Sequence, residues 1–376
     1  MKFLFILPLI LFLIFNCSRK NDLEVIKTNN ITRYINRQNI TKELNLNFSF
    51  AYEINEKKYN NLTLRQPLTL DVDSKNNLFI LDKYDATIKK FNIDGKFIRS
   101  FGKKGPGPGE MEYANAMIIL EDTIYVTDAP KKQFVRFDTN GNFIDKIRIP
   151  NNKTLLRLES VGGNKIVGLN IQWEKREEGI FRKFSYDLMD KKISKLVSFY
   201  KYEYLFDKQK PANYLDFLIP FTVTPSYIFV PVSSSKEYKV NIYNHSGELK
   251  KIIEKPYRRI KFNKQETVCF DSLMLIKNGG DKTKSQHLQA SYKKSINGIY
   301  YDKYNRLLIA NSIERNDENQ NQFWVDIYKD FVLLGKAKLD FIKGYDFLNL
   351  NDRLFFRGNK LFYLSISDAT IKVYNY

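Results

Sequence analysis

The sequence is poor in the two side chains on which much protein chemistry depends. Cysteine occurs twice, at Cys17 and Cys269, and histidine twice, at His245 and His287. Two cysteines allow at most one disulfide, and none if Cys17 is modified, in which case the folded chain relies on its core. Cys269 lies in the apolar stretch Thr267-Val268-Cys269-Phe270 and reads as a buried small hydrophobe rather than a nucleophile. His245, in Asn244-His245-Ser246-Gly247, reads as an exposed turn residue. His287 stands alone in Ser285-Gln286-His287-Leu288-Gln289, without a second histidine to complete a metal site. No nucleophile elbow, zinc-binding spacing or dinucleotide fingerprint occurs.

What is present begins with one charge, Lys2, and an unbroken apolar run from Phe3 to Phe15. A membrane-crossing helix needs about 20 residues, so this run suits a signal peptide instead. It ends in Leu13-Ile14-Phe15-Asn16-Cys17. That ending resembles the lipobox of bacterial lipoproteins, although Asn16 and Phe15 are bulkier than the residues the motif prefers. The resemblance implies cleavage before Cys17 and lipidation of Cys17, an anchor worth about 0.8 kcal/mol per buried CH2. A plain secretory signal or an uncleaved anchor is the alternative. Position 18 is Ser, not the Asp associated with inner-membrane retention, which favours the outer membrane within the cell envelope. The expected organisation is a signal peptide over 1–17, a flexible tether over 18–45 and one domain over 46–376.

Lysine and arginine number 61 against 42 acidic residues, a formal net charge of +19. Such a surplus favours anionic partners. The lysines are scattered through strand-like segments with no long basic run, however, and export makes nucleic acid an unsuitable partner. Aromatic residues make up 15% of the chain, enough for a large core rather than a disordered chain.

The clearest periodic stretch is Leu68 to Asp73, Asn77 to Asp82, Thr87 to Asn92 and Phe97 to Phe101. These four runs are rich in β-branched and aromatic residues, and Asp, Asn or Gly bounds each. Asp94-Gly95 between two of them is a hairpin signal. The unit recurs at one offset, 128 − 82 = 46: Asp128 follows Asp82, Phe137 follows Phe91, Asn140-Gly141 follows Asp94-Gly95, and Phe143-Ile144 follows Phe97-Ile98. Fainter copies begin near Lys165, Tyr227, Arg306 and Lys360, and Asp368 to Lys372 repeats Asp85 to Lys89 letter for letter. Six copies of a sheet at this period predict an all-β fold, a six-bladed β-propeller of four-stranded antiparallel blades. The last copy stops after its third strand. The alternating segment Leu46 to Ile54 is predicted to fill the open fourth place, so that an N-terminal strand closes the last blade.

Phe101-Gly102-Lys103-Lys104-Gly105-Pro106-Gly107-Pro108-Gly109-Glu110, with the Asp82 to Asp85 turn and Phe91 to Gly95, resembles NHL-repeat proteins. It looks more closely like exported six-bladed propeller lipoproteins. The resemblance is strong over 67–149 and implies an extracytoplasmic address but little about activity. The loop itself reads as structural, since glycine and proline turn the chain and no helix follows as a P-loop requires.

Chemistry is sparse. NHL-like amidating lyases use several histidines around a metal, which this chain lacks. Lactonase-like propellers hold a metal with Glu, Asn and Asp, and no spacing here singles out such a set. Asp82 and Asp128 hold equivalent blade positions and read as turn caps. Propellers bind through the connections between blades, here Gly102–Asn115, Lys201–Pro220 and Lys255–Ser295, the last two long enough to suggest function. They offer Lys103, Lys104, Tyr204, Tyr214, Tyr257, Arg258, Arg259 and His287 as candidate ligand-binding residues. The expectation is a monomeric, non-enzymatic binding or scaffold module for a protein, peptide or acidic glycan, membrane-held by its lipid and without cofactor. A metal-assisted lactonase or lyase, holding calcium or another divalent metal at the channel mouth, is the alternative.

Overall fold

The computed structural model describes residues 22–37, 42–59, 62–162, 164–194, 196–206, 220–277, 291–316, 319, 322–342, 352–365 and 368–376. Three strands lie ahead of the first blade: β1 (Leu23–Thr28), β2 (Ile31–Asn36) and β3 (Ser49–Ile54). Six four-stranded antiparallel blades follow. Blade 1 is Pro67–Val72, Leu78–Asp82, Thr87–Phe91 and Phe97–Phe101, close to the runs read from the sequence. Blades 2 to 5 span 114–148, 155–206, 222–255 and 296–338. Blade 6 takes three strands from Asp352–Arg357, Lys360–Ser365 and Thr370–Asn375 and its fourth from β3. The predicted closure is the observed one, with Ile371 opposite Ile54 and Asn375 opposite Ser49.

Blades pack face to face, and the described residues form six apolar clusters, one at each seam. Sequence period explains the turns. Asn92, Asp138 and Asn244 each accept two backbone N–H groups from the turn they open, at 2.8–3.1 Å, so a short polar side chain begins every such hairpin. Gly95, Gly141 and Gly247 follow with φ of 80°, 89° and 80°. A Cβ on Gly95 would lie 2.5 Å from the Tyr52 ring, and one on Gly141 2.6 Å from the Phe101 ring. Each turn thus receives an aromatic from the preceding blade, and glycine is needed for space as well as for φ. The exact repeat is also conformational: Ala86 and Ala369 both adopt positive φ, 55° and 48°.

The expectation of a flexible tether over 18–45 gives way within 22–37 and 42–44. There β1 and β2 form a hairpin, and β2 adds in parallel to the outer strand of blade 4 (Leu249–Lys255). Arg33 pairs with Glu254 at 2.7 Å across that junction. The Asn36 side chain accepts from Leu333 N at 2.8 Å and donates to Phe331 O at 3.3 Å, pinning the hairpin to blade 5. Further on, Leu44 N and Lys42 O bond Lys336 on the outer edge of blade 5, at 2.8 and 2.9 Å. Leu44, Leu46 and Phe48 pack into the seam of blades 5 and 6. The N-terminal segment is therefore a belt around three blades. It satisfies edge N–H and C=O groups that would otherwise face water.

Two further elements differ from the sequence reading. The segment 255–296 contains α1 (Lys264–Lys277). Asn263 and Glu266 form a reciprocal capping box at its start, with bonds of 2.8 and 2.9 Å. The second and third strands of blade 3 run 12 residues each, Lys165–Arg176 and Gly179–Asp190, about twice the strand length of blade 1. No helix among the described residues is long and apolar enough to cross a membrane.

Candidate functional site

The first strands of the blades neighbour one another around the central axis. Three of them bring charge together near their far ends. Arg357 of blade 6 donates from Nε to Asp71 of blade 1 at 2.7 Å and from Nη2 to Glu159 of blade 3 at 2.9 Å. Asp71 also accepts the Ile119 N–H at 2.8 Å, and Arg157 lies 3.9 Å from Glu159. Burial pushes the Asp71 carboxyl up, against the pull of the guanidinium. Burial also works against the charge of Arg357, but Glu159 and Asp71 more than restore it and hold its pKa above the usual range. Nearby Tyr300 is pushed up to about 12 by burial. The two carboxylates that could have met a cation here already share a guanidinium. Among the described residues, no group of three or more His, Cys, Asp or Glu is placed to hold a metal ion. The sequence signal for this network was a charge inside an apolar inner run, Leu68-Thr69-Leu70-Asp71-Val72.

On the opposite side, where the chain passes from blade to blade, buried lysines have carboxylates of their own. Lys89 stands 3.8 Å from Asp82 and 3.2 Å from Asp85. Lys153 stands 2.7 Å from Asp187 and donates to Ser198 Oγ at 2.8 Å. Lys255 pairs with Asp326 between blades 4 and 5, and Lys293 pairs with Glu266 beneath α1. Asp82 accepts the backbone N–H groups of Arg65 and Gln66 at 2.8 and 3.1 Å, and Asp128 those of Glu112 and Tyr113 at 3.2 and 3.1 Å. Both tie the connection entering a blade to the end of its second strand, the capping role their repetition suggested.

Of the residues singled out from the sequence, Lys103, Lys104, Tyr257, Arg258 and Arg259 lie in connections on this side. Lys103 and Lys104 form a short parallel bridge with Glu110 and Met111 in the Gly-Pro loop. Lys103 pairs with Glu110 at 2.9 Å, and Glu110 also accepts the Gly107 N–H at 2.9 Å. The neighbouring ammonium and this N–H hold the Glu110 carboxyl below its ordinary range. Arg258 pairs with Glu314 at 2.6 Å, Arg259 stacks over Tyr292 at 3.6 Å, and Tyr257 is half-buried against the seam of blades 4 and 5. Tyr204 lies not in a connection but within the fourth strand of blade 3, opposite Arg182. Cys17, Tyr214 and His287 lie outside the described residues. His245 is half-buried rather than simply exposed: it rests against Gly162, and burial lowers its pKa. Cys269 sits half-buried on α1, with its thiol pKa raised by burial, which disfavours the thiolate a nucleophile needs.

Residues 65–292 match the DUF5128 family, described as a 6-bladed beta-propeller, and the chain belongs to that family. Among solved structures it resembles a Bacteroides fragilis protein named as a candidate for export, at 12% identity and TM-score 0.52, covering 92% of this chain and 98% of that one. A member of the DUF4221 family from Bacteroides vulgatus aligns at 11% identity and TM-score 0.49, over 88% of this chain and 97% of that one. Virginiamycin B lyase from Staphylococcus aureus aligns at 12% identity and TM-score 0.45, over 88% and 100%. These likenesses are of fold. No curated protein matches in sequence.

Proposed function

We propose that this chain is an exported, lipid-anchored propeller that acts as a non-enzymatic binding or scaffold module, engaging a protein, peptide or acidic glycan on its connecting side. The observation that carries this reading is the state of the inner charges. Asp71 and Glu159, the carboxylates that converge in the channel, are both bonded to Arg357, and the buried lysines near the connections each have a carboxylate. Polar groups matched among themselves brace a scaffold, whereas a metal-assisted lactonase or lyase needs carboxylates left free to ligate. The lipobox-like Cys17 supports the envelope address, as does the Bacteroides fragilis neighbour, itself named as a candidate for export.

The test is a screen of the purified full chain against immobilised peptides and acidic glycans, with metal analysis of the same sample. Saturable binding that weakens in a Tyr257→Ala, Arg259→Ala variant supports the reading. Stoichiometric calcium, zinc or manganese surviving dialysis, with turnover of a lactone, overturns it.

A further inference from the structure

A cavity of about 360 Å³ opens at the seam of blades 4 and 5, by the turns that join first to second and third to fourth strands. It lies away from the connecting side and close to the belt. Its volume falls within the range of small-ligand sites, and its walls are mainly aromatic with a few polar groups. Tyr227, Phe229 and Phe331 form one wall, and Tyr301 and Tyr328 line it from blade 5. Thr224, Ser226, Asn305 and Asp330 supply the polar groups. Asn305 uses its carbonyl oxygen for the Tyr301 hydroxyl, at 2.7 Å, and keeps its amide N–H groups as donors.

Two features mark this cavity as more than a packing gap. The first is the turn Asp330-Phe331, where both residues have positive φ, 50° and 70°. Asn-Gly is the usual solution for such a turn, and a bulky residue at φ of 70° is an outlier. Here the left-handed backbone lays the Phe331 ring beside Tyr34, Tyr227 and Phe229, with centroids 4.8, 6.1 and 6.5 Å away. Strain of this kind persists where the surroundings, and often a function, demand the side chain.

The second feature is Lys251. Its ammonium lies 4.0 Å from the Phe331 centroid and 4.6 Å from that of Tyr227, two of the lining rings, and 6.0 Å from Tyr34. Among the described residues it has no carboxylate partner, although Lys255 on the same strand has Asp326. Aromatic faces steady a cation without neutralising it, so the Lys251 ammonium stands against two of the rings that line the cavity.

We propose that this seam binds an acidic pyranose, a sugar ring carrying a carboxylate. The C–H face of the ring lies on Tyr227 and Phe331, its hydroxyls bond Ser226, Asn305 and Asp330, and its carboxylate meets Lys251. A purely apolar ligand would leave those polar groups unmatched. The site is separate from the connecting side, and the titration is run in the Tyr257→Ala, Arg259→Ala background so that acid bound there does not enter the readout.

The experiment is calorimetric titration of the full chain with trigalacturonate and with its fully methyl-esterified counterpart. With Lys251 in place, this background should bind the acid at least tenfold more tightly than the ester. Lys251→Gln should abolish that preference while leaving ester binding in place, and Lys251→Arg should restore it. Phe331→Gly, which suits the left-handed backbone, should weaken both ligands at least tenfold. Absence of binding with Lys251 in place, or an acid-over-ester preference that survives Lys251→Gln, overturns the proposal. The Lys251 readout decides even where Phe331→Gly perturbs folding.

Discussion

At the scale of single residues, the hairpin glycines and the bridging arginine concentrate the cost of change. Gly141 combines φ of 89° with a neighbouring Phe101 ring 2.6 Å from where a Cβ would stand. The left-handed conformation costs an L-residue about 1–2 kcal/mol, and forcing atoms into a packed site costs roughly 1–3 kcal/mol more. Gly141→Ala is therefore expected to lower stability by about 2–5 kcal/mol in denaturant unfolding. Arg357→Met leaves Asp71 and Glu159 facing one another without their shared cation. Breaking a buried pair in this way costs about 3–5 kcal/mol, and the same unfolding experiment measures it. Arg136 holds the Asp145 carboxyl below its ordinary range through bonds of 2.7 and 2.6 Å. A carboxyl depressed in the folded state binds fewer protons there than in the unfolded chain, so its contribution is complete above the unfolded pKa, near 4. It is lost as pH falls through the lower folded value. Thermal unfolding of Asp145→Asn should accordingly show a smaller loss of stability on acidification from pH 5 to pH 2 than the wild type.

At the scale of elements, the parts that were legible in the sequence are those the chain repeats. The strands of blades 1 and 2, their Asn-Gly or Asp-Gly turns and the capping role of Asp82 and Asp128 all followed from matches at a single offset. The belt has no second copy. Its strands are only half-buried, so they lack the strong alternation that marks a strand packed on a core. The helix α1 is hard to read for a different reason: its signal is local, the Asn263–Glu266 capping box, inside a segment that otherwise resembles a long connection. The inner charge network was visible only as one misplaced Asp71, because its members come from blades 1, 3 and 6 and meet only in the closed ring. Asn36 tests how firmly the belt is held. Asn36→Ala removes both side-chain bonds to blade 5 and leaves the Leu333 N–H unmatched, a cost of about 1–3 kcal/mol. Hydrogen exchange should rise in β1 and β2 while blades 1 and 2 keep their protection; uniform loss across all blades would contradict a locally held belt.

At the scale of the whole molecule, stability depends on closure. The strand Thr370–Asn375 joins β3 to the rest of blade 6, so the two ends of the chain share one sheet. Truncation after Ala369 leaves β3 without its partner and exposes the seams on both sides of blade 6. The truncated chain should lose cooperative thermal unfolding, whereas removal of Tyr376 alone should not. Cooperative melting of the truncated chain would show that closure is dispensable.

The belt also sets an order in time. During synthesis β1, β2 and β3 leave the ribosome before blade 1, yet the partner of β2 lies in blade 4 and that of β3 is the third strand of blade 6. Domains usually begin folding from the N-terminus as they emerge, but here the earliest segment has to wait for the latest. The ring cannot close until Thr370–Asn375 has been made, and until then β3 has no partner in blade 6.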